Sequence, residues 1–176
     1  LVSGPVGLPC PANVTLVKVN TAREMHQACL SSLPADIAIC AAAVADWFVV
    51  NAATQKQKKQ SHVQPQIELA KNPDILASLS QAASRPPLVI GFAAETEHLI
   101  GHAKEKLAKK KCDWIIANYI SDEPSSVFGS DQNKASLLKG VDIIDWPYQS
   151  KQALAERLIV EIDQWIKAHD HSTETK

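Results

Sequence analysis

The sequence predicts a doubly wound α/β domain, a Rossmann-like and mainly parallel sheet finished by a C-terminal antiparallel hairpin and a covering helix. Three observations carry the prediction. The apolar runs at residues 36–44, 87–95 and 113–118 are too short for a helix with a face and do not alternate, the pattern of strands buried on both sides. Amphipathic stretches with helix-start signals separate these runs, so strand and helix alternate. Near the end, two strand-like runs meet at Gly140 and a long amphipathic stretch follows them.

Each element has its own reason. LVSG at 1–4 runs into a Gly-Pro turn signal and reads as the end of a strand. VTLVKV at 14–19 alternates and reads as a second strand. Thr21 and Glu24 have the spacing of a capping box, which starts a helix to about Leu33 with Met25, Cys29 and Leu33 on one face. After the buried strand at 36–44, the stretch from Ala45 to Val63 reads as a polar loop containing QKQKKQ, and IEL at 67–69 as a brief strand. Asn72, Pro73 and Asp74 open a helix to about Ala83 as cap, first helical residue and first-turn carboxylate. Thr96 caps a helix to Lys111 whose stripe is Leu99, Ala103 and Leu107. The runs 134–139 and 141–146 form the hairpin, and Ser150 caps a final helix that buries Leu154, Leu158, Ile162 and Trp165. The expected organisation is one domain over 1–170 and a frayed polar tail over 171–176.

Composition narrows the function. Of 176 residues, 45% are hydrophobic and 21% charged, and 18 Lys plus Arg against 19 Asp plus Glu leave no bulk charge to draw nucleic acid or a membrane surface. Cys10, Cys29, Cys40 and Cys112 lie far apart with no C-x-x-C pair, which suits free thiols in a reducing cytosol. The expectation is a soluble, cytoplasmic protein with neither nucleic acid nor membrane as partner. Met25 is the sole methionine and the chain opens on LVSGPVG, so a piece of a longer protein is expected.

In doubly wound folds ligands bind where strands end at their carboxyl edge, and Asp46, residues 92–95 and Asn118 fall there. Neither G-x-G-x-x-G, nor G-x-x-x-x-G-K-[ST], nor G-x-S-x-G occurs. His98 and His102 have a helical i, i+4 spacing, but Leu99 stands where a zincin needs glutamate, so solvent-facing histidines are expected. Singly, Asp46 reads as a turn residue, Lys56, Lys58 and Lys59 as a solvated loop, and the lysines at 104–111 as partners of a helix C-terminus. Together they say more. Lys106 and Lys110 share a helix face, further lysines follow the Asp46 strand, and a helix starts at Pro73 and Asp74, a set that suits a polyphosphate or nucleotide.

The strings LVSGPV, CAAAVADW, KQKKQ, AKNPDIL, IGFAAET and AKEKLAKKKCDWIIAN, in this order from Leu1 to about Asp170, resemble phosphopantothenoylcysteine synthetase, the CTP-dependent ligase of coenzyme A biosynthesis. The resemblance implies a Rossmann-like homodimer that joins 4'-phosphopantothenate to L-cysteine with CTP and Mg²⁺. It proceeds through an acyl-cytidylate. In bacteria the domain is often fused behind a decarboxylase, and FMN would belong only to that domain. Carried over, the nucleotide site is Cys40, Ala41, Ala42, Asp46, Lys56, Pro73, Asp74, Ile75, Leu76, Phe92, Lys106 and Lys110, with Lys56 catalytic. Lys106 and Lys110 are donor-only groups suited to O2 and N3 of cytosine, and Asp46 accepts from ribose hydroxyls or helps hold Mg²⁺. On that resemblance Lys56 would close over the triphosphate. The hairpin at 134–146 or the loop at 119–130 would supply the two-fold interface.

Two departures stand out. The family's first strand, Gly-rich turn and asparagine-bearing segment are not in these 176 residues, so this piece alone is expected to bind CTP without turnover. Cys40 stands where relatives commonly have glycine. Two other readings remain, a dinucleotide-binding oxidoreductase domain or a non-catalytic nucleotide-binding or dimerisation module. The first needs an acidic ribose-binding residue near the end of the second strand, where SGPVG offers none.

Overall fold

A computed structural model of the chain describes all residues except 53–54, 56–65, 96–97, 120–131 and 171–176. Strand and helix alternate, parallel strands occur, and a hairpin and long helix close the chain, so it is the mixed α/β fold that the sequence predicts. It divides into two compact units, Leu1–Val89 and Ile90–Lys176.

The first unit is built of short pieces. β1 (Val2–Ser3) pairs in parallel with β2 (Val17–Lys18), a shorter pairing than the alternation at 14–19 predicts. The capping box forms: Thr21 Oγ1 accepts from Glu24 N at 3.1 Å, and Glu24 Oε2 accepts from Thr21 N at 3.3 Å. It starts α1 (Ala22–Ser31), which buries Met25 and packs on β1. Leu33 lies beyond the end of α1: it precedes Pro34, which disfavours the helical conformation there, and the Ser32 hydroxyl donates to Ala28 O at 2.8 Å in the last turn.

β3 (Ile37–Cys40) is half the length expected, and it is not buried on both sides, since Ile39 is 47% exposed. Alanine has little preference for strands, and the backbone leaves strand geometry where Ala41–Ala43 begin. The expected loop after Ala45 contains β4 (Trp47–Val49), which pairs antiparallel with β5 (Leu69–Lys71), two residues later than the IEL run. α2 (Ile75–Ser80) is shorter than expected, and its cap is Asp74 rather than Asn72: Asp74 Oδ1 accepts from Ala77 N at 3.0 Å. Asn72 is spent elsewhere, as shown below. α2 buries Leu76 and Leu79 and packs on α1 and β3.

The second unit is dominated by a sheet. β6 (Leu88–Glu95) pairs in parallel with β7 (Trp114–Tyr119) from Ile90 onward, β7 pairs antiparallel with β8 (Gln132–Lys139), and β8 with β9 (Asp142–Ser150). Trp114, Ile115, Ile116 and Ala117 are all buried, so β7 is covered on both faces as its apolar run predicts. Gly140 turns the hairpin at φ +59, a conformation rather than a space requirement, because a Cβ there would meet nothing within 4 Å. Pro147 lies in β9 where the register shifts, between the pairs Ala135↔Trp146 and Asn133↔Gln149, so its missing N–H breaks no ladder bond.

Between β6 and β7 runs α3 (Leu99–Lys110), which packs on β7 and β8 and buries Ala103. The expected cap Thr96 lies outside the described residues; His98 precedes the helix in a left-handed conformation without a side-chain capping bond. α4 (Lys151–Asp170) is capped by Ser150 and lays Leu154, Leu158 and Ile162 on β8 and β9, with Trp165 half-buried and stacked on His169. Lys139 of β8 reaches Glu161 of α4 at 2.7 Å, a half-buried pair that pins sheet to helix. Among the described residues no helix is long and apolar enough to cross a membrane.

Candidate functional site

The expected site residues fall into two groups, one in each unit. In the first unit, Cys40 ends β3 half-buried and Ala41 and Ala42 follow it, exposed. Asp46 stands exposed just before β4, at the strand's open end rather than in a core. Two bonds of Asn72 bring it to the α2 cap: Asn72 N donates to Asp46 O at 2.8 Å, and Asn72 Nδ2 donates to Ala45 O at 2.8 Å. The first of these extends the β4–β5 ladder by one pair, so Asp46 and Asn72 lie opposite each other. Pro73 and Asp74 follow at once. Ile75 is half-buried and Leu76 is core, so within residues 73–76 the exposed functional group is the Asp74 carboxylate, already holding Ala77 N.

The same strand carries two aromatic residues with cations over them. The Arg23 guanidinium lies 3.6 Å from the Phe48 ring centroid, and Lys71 Nζ 5.6 Å from that of Trp47. On α2, Ser78 Oγ meets His26 Nε2 of α1 at 2.9 Å. The sequence carries cues for these contacts: Arg23 sits between the cap Thr21 and Glu24, whose carboxylate is consumed by the capping box, and two aromatics directly follow Asp46.

In the second unit, Phe92 lies in β6 and Lys106 and Lys110 on α3. Lys106 Nζ donates to Phe92 O at 2.7 Å, which holds two expected site residues together. Both lysines are half-buried, unlike Lys104 and Lys109, which are exposed. This separation fits a helix face turned to the protein and one turned to water. His98 and His102 are exposed as expected, with ring centroids 6.2 Å apart and edge to face. A hollow of about 640 Å³ near Leu107, Cys112, Gly140 and Val141 lies at the amino end of β7, opposite the edge where strands of this fold present ligands, and none of the expected residues lines it.

Lys56, Lys58 and Lys59 lie outside the described residues. Among the described residues, no group of three or more His, Cys, Asp or Glu could hold a metal by itself. Burial raises the Cys29 thiol above its ordinary value of 9.0, which favours its protonated form.

Comparison with known proteins agrees with the fold. Residues 1–166 match the family described as the DNA/pantothenate metabolism flavoprotein C-terminal domain. The chain is 40% identical over 171 residues to the coenzyme A biosynthesis bifunctional protein CoaBC of Vibrio vulnificus, covering 96% of this chain and 42% of that protein. It is likewise 40% identical over 167 residues to the Escherichia coli K12 protein of the same name, covering 92% and 40%. The chain thus spans about two-fifths of the length of these curated relatives. Among solved structures, the C-terminal domain of a coenzyme A biosynthesis bifunctional protein CoaBC superposes with a TM-score of 0.72 at 29% identity, covering 95% of this chain and 75% of that one. The DNA/pantothenate metabolism flavoprotein from Streptococcus pneumoniae gives 0.73 at 19% identity over 93% and 80%, a likeness of fold.

Proposed function

The chain belongs to the family of the DNA/pantothenate metabolism flavoprotein C-terminal domain, and from that premise we propose that it is the ligase part of a bifunctional coenzyme A biosynthesis protein, joining 4'-phosphopantothenate to L-cysteine at the expense of CTP. The observation that carries the reading is the Lys106–Phe92 contact of 2.7 Å with Lys110 one turn further on. The carbonyl fixes one lysine end while leaving two of its three N–H donors for a base that offers acceptors. Cytosine offers two adjacent acceptors, O2 and N3, whereas the corresponding edge of adenine offers the single acceptor N1 and a C–H where cytosine has O2, so one of the two lysines would lose its partner.

The chemistry has two halves. The carboxylate of phosphopantothenate attacks the α-phosphorus of CTP, forming the acyl–phosphate bond and releasing pyrophosphate. The cysteine amine then attacks the acyl carbon, loses a proton, and expels CMP as the amide forms. Asp46 supplies an acceptor for ribose hydroxyls or one carboxylate for Mg²⁺. With no group of three or more such ligands among the described residues, the cation would be held largely by the phosphates, which suits Mg²⁺ better than a protein cage would. When bound, Mg²⁺ would neutralise charge on the triphosphate. Lys56 is assigned the same task during both transfers, on the resemblance of KQKKQ to the family's lysine loop. A homodimer is part of the proposal, and FMN belongs to a fused decarboxylase rather than to these residues.

The test is turnover by the full-length protein with phosphopantothenate, cysteine and each of CTP, ATP and NAD. Pyrophosphate release with CTP alone is expected, and Lys56→Gln should abolish product while leaving CTP binding weakened but measurable. Equal turnover with ATP would overturn the cytosine role of Lys106 and Lys110; binding of NAD in preference to CTP would favour the oxidoreductase reading.

A further inference from the structure

Arg23 lies in the first turn of α1 and has no role in the site described above, yet its placement is specific. Its guanidinium is stacked on Phe48 at 3.6 Å. Stacking occupies the face of the group and leaves its in-plane N–H donors available. Among the described residues Arg23 makes no hydrogen bond or ion pair, and the neighbouring carboxylate that would neutralise it is engaged, since Glu24 Oε2 accepts from Asn20 N at 2.7 Å and from Thr21 N at 3.3 Å.

Strand geometry says where those donors lie. The Asn72 N to Asp46 O bond carries the β4–β5 ladder out to Asp46, so residues 46 and 48 fall on one face of the ribbon, while Trp47 and Lys71 fall on the other. Two residues of strand advance about 7 Å. Arg23 therefore covers the ring next to Asp46 on the same face, and Asp46 too is without an ion-pair partner among the described residues. An acceptor-only carboxylate and a donor-only guanidinium, side by side and not paired with each other, match a ligand with a hydroxyl or ammonium group at one end and an oxyanion at the other.

We propose that Arg23, braced by Phe48, binds an oxyanion of the substrate that Asp46 holds. The inference rests on the reading of Asp46 as a ligand residue. The proposed reaction offers two sources of that oxyanion, a phosphate of CTP or phosphopantothenate, or the carboxylate of the amino acid.

Steady-state kinetics of the full-length protein separate the cases. Arg23→Gln should raise KM for one oxyanion-bearing substrate roughly ten- to a hundredfold, the usual worth of a hydrogen bond to a charged group, with kcat changed far less. Arg23→Lys should recover part of it. If the affected substrate is cysteine, the defect disappears when cysteamine, which lacks the carboxylate, replaces it; a defect on a phosphate substrate persists. Arg23 is no more than a staple between α1 and β4 if every KM stays within twofold, or if kcat and all KM values move together with a lower melting temperature that Phe48→Leu reproduces. Should the wild-type protein show no CTP-dependent turnover, the functional reading fails while Arg23 is still judged by titration with inorganic pyrophosphate and with L-cysteine: Arg23→Gln weakening either supports the inference, and weakening neither overturns it.

Discussion

The two units of this chain use their apolar residues in opposite ways. In Ile90–Lys176, Ile115, Ile116, Leu137 and Leu138 are fully buried and two helices lie on the sheet. In Leu1–Val89, Trp47 is 51% exposed and Leu69 53%, and the buried apolar side chains are few. Directed polar contacts do more of the holding there: the capping box, the two Asn72 bonds, the His26–Ser78 bond and the Arg23–Phe48 stack. The lesson is that a core fixes strands over a long register, whereas point contacts fix single residues. Asp46 and Asp74 are held in the second way and Phe92 in the first, with Lys106 tied to it.

The largest expected effect breaks the comparison most cleanly. Leu137→Ala should cost about 2–5 kcal/mol in urea unfolding because it leaves a cavity in a closed core, while Ile39→Ala, already half in water, should cost under about 1 kcal/mol. Equal losses would mean that the exposure of β3 does not describe how the protein is packed. Next, Lys106→Met should remove the bond to Phe92 O and lower the preference for CTP over ATP roughly tenfold, about 1.4 kcal/mol, in competition binding. No change in the ratio would leave the lysine a structural tie. Thr21→Ala removes the capping acceptor and should cost about 1 kcal/mol, a value that sharpens the claim that polar contacts hold the first unit.

The smallest effect concerns Cys29. Its thiol is raised by burial, so folding favours the protonated form; that contribution is complete below the ordinary value of 9.0 and is lost as pH rises past it towards the folded value. Stability should therefore sag slightly above pH 9.0, and Cys29→Ser, which does not ionise, should flatten the slope. In the same samples the exposed Cys10 should alkylate well before Cys29 or the buried Cys112.

Legibility in the sequence followed the same division. The runs at 87–95 and 113–118 and the hairpin around Gly140 declared their strands because periodicity, burial and turn chemistry agree there. In the first unit they do not agree. Ala41–Ala43 are apolar but poor strand formers, so the run at 36–44 looked longer and more buried than β3 is. β4 was hidden because three residues of strand carry too little pattern to stand out from a polar stretch. Asn72 looked like a cap because Asn-Pro-Asp satisfies the rules for starting a helix; its long-range bonds to the Asp46 segment depend on a ladder 26 residues away in sequence. The likeness of short strings to a family points to the site residues, and the fold adds a local partner for two of them: Asn72 for Asp46 and Phe92 for Lys106.

The central proposal is CTP-selective binding that depends on Asp46 and on Lys106. Calorimetric titration of CTP and ATP into the wild-type protein, Asp46→Asn and Lys106→Met tests it most directly. The expected result is CTP-selective binding by the wild type, weaker binding of both nucleotides in Asp46→Asn, and a loss confined mainly to CTP in Lys106→Met. Wild-type protein that binds CTP and ATP equally, or that keeps its full CTP affinity in both variants, would contradict it.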